Sequence, residues 1–453
     1  FFFKQKTAYE IRNCDWSSGV CSSDLADAPN SRFCTAHIGI GGMGRGDLKN
    51  IASHPQVQVV GVADVDRAVF TNERIQPMLG EAAQFADYRE MLDSLGDKID
   101  GVVISTPDHT HFPAARLAME LGKPVYLQKP LTHEIAEAYE LQRLARDKNL
   151  VTQMGIQCHS ADAYRIAVDF LQQGIIGKVS KVYAWSQKAW GHEGPPYEGS
   201  DPVPETLDWN LWLGTAPERP YLNRKYHPGN WRRIIDFGCG TLGDMGVHIL
   251  DTPCTALKLG YPRSVRVTCG EPNHFSHPTT ETVEFEFPGT EYTTDTLQVV
   301  WYDGGDSPHA APSENPDLQL EETKPSPDNP EIQVTEPKNL PHQGAMFIGE
   351  DGKRLLLPHL GAPQPLPRSL LQTITKPKLE PVNHYHQWVN ACLGEGACSA
   401  NFEYSAPLTV INLLGVVGNR FPGKTLEWDG ASMRFPNHAE ANKLLTRTYR
   451  TDY

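Results

Sequence analysis

The stretch HIGIGGMGRGDLKNIASHPQVQVVGVAD, residues 37–64, decides the fold of this chain. An apolar strand runs into a G-x-G-x-x-G pattern, a helix-like segment follows, and a second apolar strand ends on Asp64. In a βαβ unit such glycines permit a tight turn, close approach of a pyrophosphate and packing of helix on strand. An acid about twenty residues further on is placed to accept hydrogen bonds from ribose hydroxyls. The residues predicted to form this dinucleotide site are Gly39, Gly41, Gly42, Met43, Gly44 and Asp64.

A glycine pattern alone is also typical of ordinary turns. Here the strand, the helix, the second strand and the terminal acid all occur in the required order, which favours dinucleotide binding.

Composition and charge exclude two classes of partner. The chain of 453 residues is 39% hydrophobic and 21% charged, as is typical of a globular protein. No apolar run reaches the roughly 18 residues that a membrane span needs, so we predict no membrane span. The net charge of −14 argues against a nucleic-acid partner, because phosphate binding requires a basic surface.

The first 25 residues differ from the rest of the chain. They have no clear period of two or 3.6, and they resemble the translated adapter sequence found at the ends of some open reading frames. We therefore set residues 1–25 aside as non-native; the alternative is a genuine N-terminal extension. We expect the natural start, with any export signal, to be missing, so localisation stays open between cytoplasm and periplasm.

Two domains are predicted from the order of the elements, giving an α/β fold class. Strands and helices alternate over residues 33–155, which predicts an N-terminal Rossmann domain with a parallel sheet covered on both faces. Over residues 156–453 the strand-like segments alternate in polarity, which predicts an α+β domain with an open, mostly antiparallel sheet. Within it, residues 303–345 have little periodicity and are interpreted as a long surface loop.

Two loops follow strands of the predicted parallel sheet. One reads Thr106-Pro107-Asp108-His109-Thr110-His111, and the other reads Gln128-Lys129-Pro130-Leu131. Ligands of such sheets bind beyond the carboxyl ends of the strands, so we expect both loops to contact the cofactor. The residues predicted to do so are Thr106, Pro107, His109, His111, Gln128 and Lys129.

A third constellation is Asp244-Met245-Gly246-Val247-His248-Ile249-Leu250-Asp251. Residues four apart share one helical face, so Asp244 and His248 are predicted to lie side by side, with Asp251 on the same face. A carboxylate beside an imidazole is typical of an oriented general base. Because a third strong ligand at suitable spacing is lacking, we predict no metal site.

Together these motifs resemble the glucose–fructose oxidoreductase, inositol dehydrogenase and rhizopine-catabolism family (Gfo/Idh/MocA). The resemblance covers residues 33–453 and rests on the glycine pattern, Asp64, a T-P-x-x-x-H loop, a strand-end E-K-P and a D-x-G-x-H-x-x-D helix. One position departs from the family pattern, since Gln128 stands where glutamate is usual. The Trp231-Arg232-Arg233 and Glu427-Trp428-Asp429-Gly430 segments look like those of the subgroup with a long central insertion.

The resemblance implies an NAD-dependent dehydrogenase that acts on a hydroxyl of a sugar, cyclitol or glycoside, and it implies a homo-oligomer. His248 would remove the hydroxyl proton, Lys129 would stabilise the developing alkoxide, and Asp244 would orient the substrate. Oxidation is then expected to accelerate with pH through the ordinary titration range of histidine. The residues implied to contact the substrate are Gln157, Trp231, Arg232, Asp244 and His248.

Other interpretations remain open at this point. The same fold serves NAD-dependent glycosidases, which oxidise a sugar transiently and then eliminate, and it also serves non-catalytic NAD-binding sensors. The tryptophans at 185, 190, 209 and 212 are compatible with core packing or with stacking on a sugar.

Overall fold

The computed structural model describes residues 32–325, 331 and 333–451. The segment 1–25, predicted to be non-native, lies outside the described residues. In the described part of the chain, no helix is long and apolar enough to cross a membrane.

The N-terminal part is a six-stranded parallel sheet with strand order β3-β2-β1-β4-β5-β6, as the fingerprint predicts. Its strands are β1 (Phe33–Ile38), β2 (Val57–Ala63), β3 (Ala83–Phe85), β4 (Gly101–Ile104), β5 (Val125–Gln128) and β6 (Thr152–Gly155). Its helices are α1 (Gly42–Ala52), α2 (Gln76–Leu79), α3 (Tyr88–Leu95), α4 (His111–Glu120) and α5 (Ile135–Asp147). The central strands β4 and β5 are buried throughout, because helices cover both faces of the sheet.

The remainder contains an eight-stranded open sheet and further helices. The helices are α6 (Asp162–Gln172), α7 (Trp209–Leu213), α8 (Val247–Ile249), α9 (Asp251–Leu257), α10 (His384–Cys392), α11 (Phe402–Gly418) and α12 (Ala439–Asn442). The strands are β7 (Val179–Ser186), β8 (Ser264–Cys269), β9 (Glu281–Pro288), β10 (Thr293–Asp303), β11 (Leu320–Pro325), β12 (Gln333–Lys338), β13 (Gln343–Ile348), β14 (Arg354–Pro358), β15 (Gln364–Leu366) and β16 (Thr425–Glu427).

The strand order of this sheet is β15-β14-β13-β7-β10-β9-β8-β16. Only the β7–β10 pair is parallel, and the other pairs are antiparallel. The predicted fold class is therefore confirmed: a Rossmann domain joined to an α+β part with an open, mostly antiparallel sheet.

The described residues of the segment 303–345, which was interpreted from the sequence as a long surface loop, include regular strands. It contains the antiparallel pair β11–β12, and β13 of the large sheet begins at its end. The β11–β12 pair is mostly exposed and is joined by ion pairs, Lys324 with Glu336 and Lys338 with Glu322. Cross-strand charge pairs stabilise strands without an alternation of apolar residues, so the hydrophobic pattern of the sequence did not indicate β11 and β12.

Late segments of the chain return to the N-terminal sheet. Helix α11 packs on α5, and α10 packs on α1. Trp388 of α10 is fully buried, with its ring 5.6 Å from that of Phe33 and 6.0 Å from that of Tyr126. The core of the Rossmann domain is thus completed by residues far beyond the predicted boundary at residue 155.

Candidate active site

A cleft of about 520 Å³ lies at the carboxyl ends of the parallel strands and extends toward the α+β part. Both strand-end loops and the glycine loop reach it, as the strand-end rule predicts. The sequence-predicted residues that line it are Gly39, Gly41, Gly42, Met43, Asp64, Thr106, Pro107, Gln128, Lys129, Gln157, Trp231, Arg232 and His248.

The glycine loop leaves space for a ligand because side chains are excluded from it. Gly39 has a φ of 76°, and a Cβ at Gly44 would lie 1.9 Å from the carbonyl oxygen of Gly39. Gly44 therefore acts through packing and does not itself line the cleft. Helix α1 begins at Gly42, so its free N–H groups face the cleft, where they suit a pyrophosphate.

Asp64 follows β2 and ties its carboxylate to this loop. Its Oδ2 accepts hydrogen bonds from the backbone N–H groups of Ile40 at 2.9 Å and Gly41 at 3.3 Å. Burial raises the pKa of Asp64, whereas these backbone donors and that of Asp66 lower it. The acid therefore both shapes the loop and borders the cleft, where ribose hydroxyls are expected.

Several buried polar atoms of the cleft lack a partner among the described residues. They are Oγ1 of Thr106, Nε2 of Gln157 and Nδ1 of His248. Unpaired buried polar groups are costly unless a ligand or water satisfies them. With the glycine loop, these atoms make a cleft whose residues fit a bound dinucleotide and a polar substrate.

Gln128, the departure from the family pattern, is paired with a carboxylate of the fingerprint helix. Its Nε2 lies 2.8 Å from Oδ2 and 3.1 Å from Oδ1 of Asp47. Burial raises the pKa of Asp47 to about 6, against hydrogen bonds from Ser105, Gln128 and Tyr385. A glutamate at 128 would face this carboxylate directly, so the neutral amide suits its neighbour.

The histidines of the first strand-end loop differ from the prediction, since neither lines the cleft. His109 is buried against the rings of Trp212 and Phe237, and its Nε2 lies 3.1 Å from the Trp212 carbonyl oxygen. The ring nitrogens of His111 lie 2.8 Å from the carbonyl oxygen of Pro130 and 2.9 Å from that of Thr106. His111 therefore joins the two strand-end loops and acts on the cleft through their positions.

Asp244 is the centre of a cluster of donors, here called the Asp244 cluster. Its Oδ1 accepts from Lys129 Nζ at 2.7 Å and Arg232 Nε at 3.1 Å. Its Oδ2 accepts from Lys188 Nζ at 3.0 Å and Trp190 Nε1 at 2.8 Å. Burial raises the pKa of Asp244, but the three cations outweigh burial and hold the pKa well below its ordinary value. A carboxylate has about four acceptor positions, and four protein donors occupy those of Asp244. Asp244 therefore positions other side chains in place of the predicted contact with substrate.

The predicted helix that carries Asp244, His248 and Asp251 is not one regular α-helix, although the charge of Asp244 still acts on His248. Residues 242–246 make a π-helical turn, which changes the helical register before α8 begins. No hydrogen bond joins the described side chains of Asp244 and His248. Asp251 instead contacts His159 Nδ1 at 2.8 Å and the hydroxyl of Tyr404.

His248 is buried in a positive environment. Burial lowers its pKa well below 6.5, and Lys129 and His359 lower it further. The imidazole is therefore neutral at neutral pH and able to accept a proton. The pH range over which oxidation is expected to accelerate therefore lies below the ordinary titration range of histidine.

Two residues of the site, Lys188 and His359, were missed from the sequence, and Trp190 was named there with core packing and sugar stacking both open. Lys188 and Trp190 follow β7, and their basic and aromatic character after a predicted strand was the available signal. His359 follows β14, a strand that was not predicted, and its ring centroid lies 5.7 Å from that of His248.

Metal binding has no support in the described part of the chain, where no group of three or more His, Cys, Asp or Glu side chains has a suitable arrangement.

We expect Asp244→Asn to destabilise the protein by about 3–5 kcal/mol, because breaking a buried ion pair leaves uncompensated charge. The amide is isosteric but cannot balance the three cations that contact it. Chemical denaturation of both proteins measures the change. Asp147→Asn is the control, since Asp147 forms an exposed pair with Arg143 and such pairs contribute about 0–1 kcal/mol. Equal stability of the two variants would contradict the structural role of the Asp244 cluster.

A Rossmann sheet with a glycine loop, joined to an open antiparallel sheet across a shared cleft, defines the class of two-domain, dinucleotide-binding proteins. The oxidoreductase family model "NAD-binding Rossmann fold" (GFO_IDH_MocA) matches residues 33–156. The model of the family's C-terminal alpha/beta domain matches residues 168–281. The chain belongs to the Gfo/Idh/MocA family of oxidoreductases, and its N-terminal domain is the NAD-binding domain of that family. The subgroup with a long insertion stays a prediction.

Among similar proteins, the scyllo-inositol 2-dehydrogenase (NAD(+)) of Bacillus subtilis is 31% identical over 144 residues, which is 32% of this chain and 41% of that protein. A glycosyl hydrolase family 109 protein of Streptomyces filamentosus is 27% identical over 263 residues, 55% of this chain and 50% of that protein. The chain spans about half the length, or less, of the curated relatives that it matches.

The fold is also that of a solved structure, the WlbA dehydrogenase from Bordetella pertussis in complex with NADH and UDP-GlcNAcA. The TM-score is 0.58 at 12% identity, and the match covers 88% of this chain and 99% of that one.

We expect Asp64→Ala to reduce the preference for NAD over NADP. The carboxylate would repel a 2′-phosphate, and Arg67, the nearest cation in sequence, donates to the carbonyl oxygen of Glu205. Loss of charged hydrogen bonds costs about 1.5–3 kcal/mol each, so NAD affinity should fall about 10- to 100-fold. Titration of both cofactors into both proteins measures this. Wild-type protein that binds NADP as tightly as NAD would refute the role of Asp64.

Proposed function

We propose that this protein is an NAD-dependent dehydrogenase that oxidises a hydroxyl group of a sugar, cyclitol or glycoside. The observation that carries the proposal is the meeting of Lys129 and His248 with the glycine loop in one cleft. A cation and a neutral base facing the cofactor site are what alcohol oxidation requires, because a proton must leave the hydroxyl as the hydride departs. Bound NAD supplies the hydride acceptor.

Lys129 orients the substrate hydroxyl and stabilises negative charge on its oxygen. Two of its three ammonium hydrogens are engaged by Asp244, through Oδ1 and through the backbone carbonyl oxygen, each at 2.7 Å. The third hydrogen remains available for the substrate. Asp244 thus fixes the direction of Lys129, and Lys188 and Arg232 fix Asp244.

His248 takes the hydroxyl proton on a ring nitrogen. Burial and the neighbouring cations disfavour its charged form, so the free base is present at neutral pH. As the hydroxyl loses its proton, the charge that develops lies beside Lys129, where it is stabilised. Nε2 of Gln157, which lies at the cleft close to Tyr126 and Tyr385, is placed to donate to a further substrate oxygen.

The test is NADH formation across a panel of sugars, cyclitols and glycosides, with analysis of the products. Accumulation of NADH with at least one polyol and an intact carbon skeleton in the product is the expected result. Tight NAD binding without NADH formation or product would favour a sensor and contradict the proposal.

A second candidate is an NAD-dependent glycosidase that oxidises transiently and eliminates. It is favoured by the family 109 glycosyl hydrolase relative, which matches 55% of this chain. Cleavage of glycosides without net NADH would support this candidate over the first.

A further inference from the structure

A group of cations lies beside the substrate end of the cleft, and two of them, Lys129 and Arg232, line it. Lys129, Lys188 and Arg232 all contact one carboxylate, that of Asp244. The buried carboxyl group of Asp108 also lines the cleft and acts electrostatically on Arg232 and Lys129. Three cations therefore lie close to two carboxyl groups, those of Asp244 and Asp108.

The guanidinium group of Arg232 packs against two tryptophan rings and keeps part of its hydrogen-bonding capacity free. Its Cζ lies 4.3 Å from the ring centroid of Trp231 and 5.7 Å from that of Trp190. Its Nε donates to Asp244, and its side chain, which is 27% exposed, lines the cleft. Its Nη1 donates to the carbonyl oxygen of Gly229 at 3.4 Å, so Nη2 carries the N–H groups that remain for a carboxylate or phosphate oxygen.

Arg233 adds a further cation beside Trp190. Its Cζ lies 5.5 Å from the Trp190 ring, and its Nε is buried without a hydrogen-bond partner among the described residues. Trp190 thus has a guanidinium group near it from each of two consecutive arginines while its own N–H donates to Asp244. A buried charge that lacks a full complement of partners is costly, and an anionic ligand would remove that cost.

We propose that Lys188, Arg232 and Arg233 form a recognition site for an anionic group on the substrate, so that the preferred substrate is a sugar acid or a sugar phosphate. The shared chemistry is an oxyanion that accepts hydrogen bonds from guanidinium and ammonium groups. This inference rests on the proposed function, because it names the substrate class of the same cleft. It also assigns Lys188 and Arg233 to substrate specificity, beyond their contacts with Asp244 and Trp190.

Calorimetric titration of the protein saturated with NADH tests the inference without turnover. Glucose, glucuronate, glucuronate methyl ester and glucose 6-phosphate are the matched ligands, and the neutral ester separates charge from size. We expect the better of the two anions to bind about 10- to 100-fold more tightly than glucose and the ester, as charge-assisted hydrogen bonds allow. Whichever anion gains more identifies the carboxylate or the phosphate as the group recognised. The advantage should shrink as ionic strength increases.

Two variants, Lys188→Gln and Arg233→Gln, locate the effect. Each should lower the ratio of anion affinity to glucose affinity toward one. Arg266→Gln is the matched control, since Arg266 is exposed on β8 and belongs neither to the Asp244 cluster nor to the pair of arginines beside Trp190. Melting temperatures check that the variants fold, and Arg233→Gln leaves every ion pair of the Asp244 cluster in place.

Equal binding of anions and neutral sugars would overturn the inference. So would variants that weaken NADH binding as much as anion binding, because the cations would then serve the cofactor. Selective anion binding without NADH formation from any substrate would defeat the proposed function and leave the anion site standing. Oxidation of neutral sugars with no anion preference would defeat the anion site and leave the proposed function standing.

Discussion

His248→Ala should lower kcat by about 10²–10⁴-fold, the usual contribution of a general base. The imidazole lines the cleft with Lys129, and its Nδ1 has no partner among the described residues. NAD should still bind, because the glycine loop and Asp64 are untouched. Turnover on the best substrate and NAD affinity, measured on the same preparation, separate the two effects.

A matched control is His386→Ala, which removes an imidazole that bonds Ser53 outside the cleft. It should retain wild-type turnover. If His248→Ala also retained it, His248 would not be the base, and Lys129 would be the remaining candidate beside the substrate.

The pH profile provides an independent check on the same residue. Burial and the cations Lys129 and Lys188 lower the pKa of His248, while Asp244 raises it less. The base is then already neutral at pH 6.5, and protonation inhibits oxidation only at lower pH. The rising limb of kcat/KM should therefore lie below pH 6.5, and a limb centred above that value would show that another group titrates.

The Rossmann domain was predictable because its signals are local. The strand, the glycine loop, the helix and the acid follow one another within residues 37–64. The glycines permit close packing against residues nearby in sequence, as Gly44 does against the carbonyl oxygen of Gly39. Strand-end placement then predicted that Lys129 and Thr106 would face the cleft. The same rule failed for His109 and His111, because side chains after a strand also point into the protein, and which way they point depends on packing partners far away in sequence.

The Asp244 cluster was not predictable, since its members come from distant segments. Lys129 lies 115 residues from Asp244 in the sequence, and Lys188 lies 56 residues from Asp244. No periodicity relates such positions, and the one spacing rule that was applied assumed an α-helix where residues 242–246 form a π-helical turn. The contacts of Asp244 with Lys129 and Lys188 join segments distant in sequence, which no local pattern reports.

Lys129→Met should lower kcat by about 10²–10³-fold, as the loss of one donor to a developing oxyanion does. The methionine keeps most of the apolar stem but removes the ammonium group that contacts Asp244 and faces the cleft. Lys129→Arg should not restore activity, because a guanidinium differs in reach and geometry from an ammonium group.

Lys123→Met is the control, since Lys123 lies just before β5, at the end opposite Lys129, and donates to the carbonyl oxygen of Ile99. It should turn over like the wild type.

Melting temperature and NADH affinity show whether Lys129→Met has disturbed the Asp244 cluster, which keeps Lys188 and Arg232 as partners. If folding and NADH binding are intact and turnover still approaches the wild-type value, Lys129 does not stabilise the alkoxide, and that charge must be stabilised by the neighbouring cations. If turnover falls as expected while folding and NADH binding are normal, the ammonium group is needed for turnover, and the pH profile of the variant separates its action on the reacting oxygen from its effect on the pKa of His248.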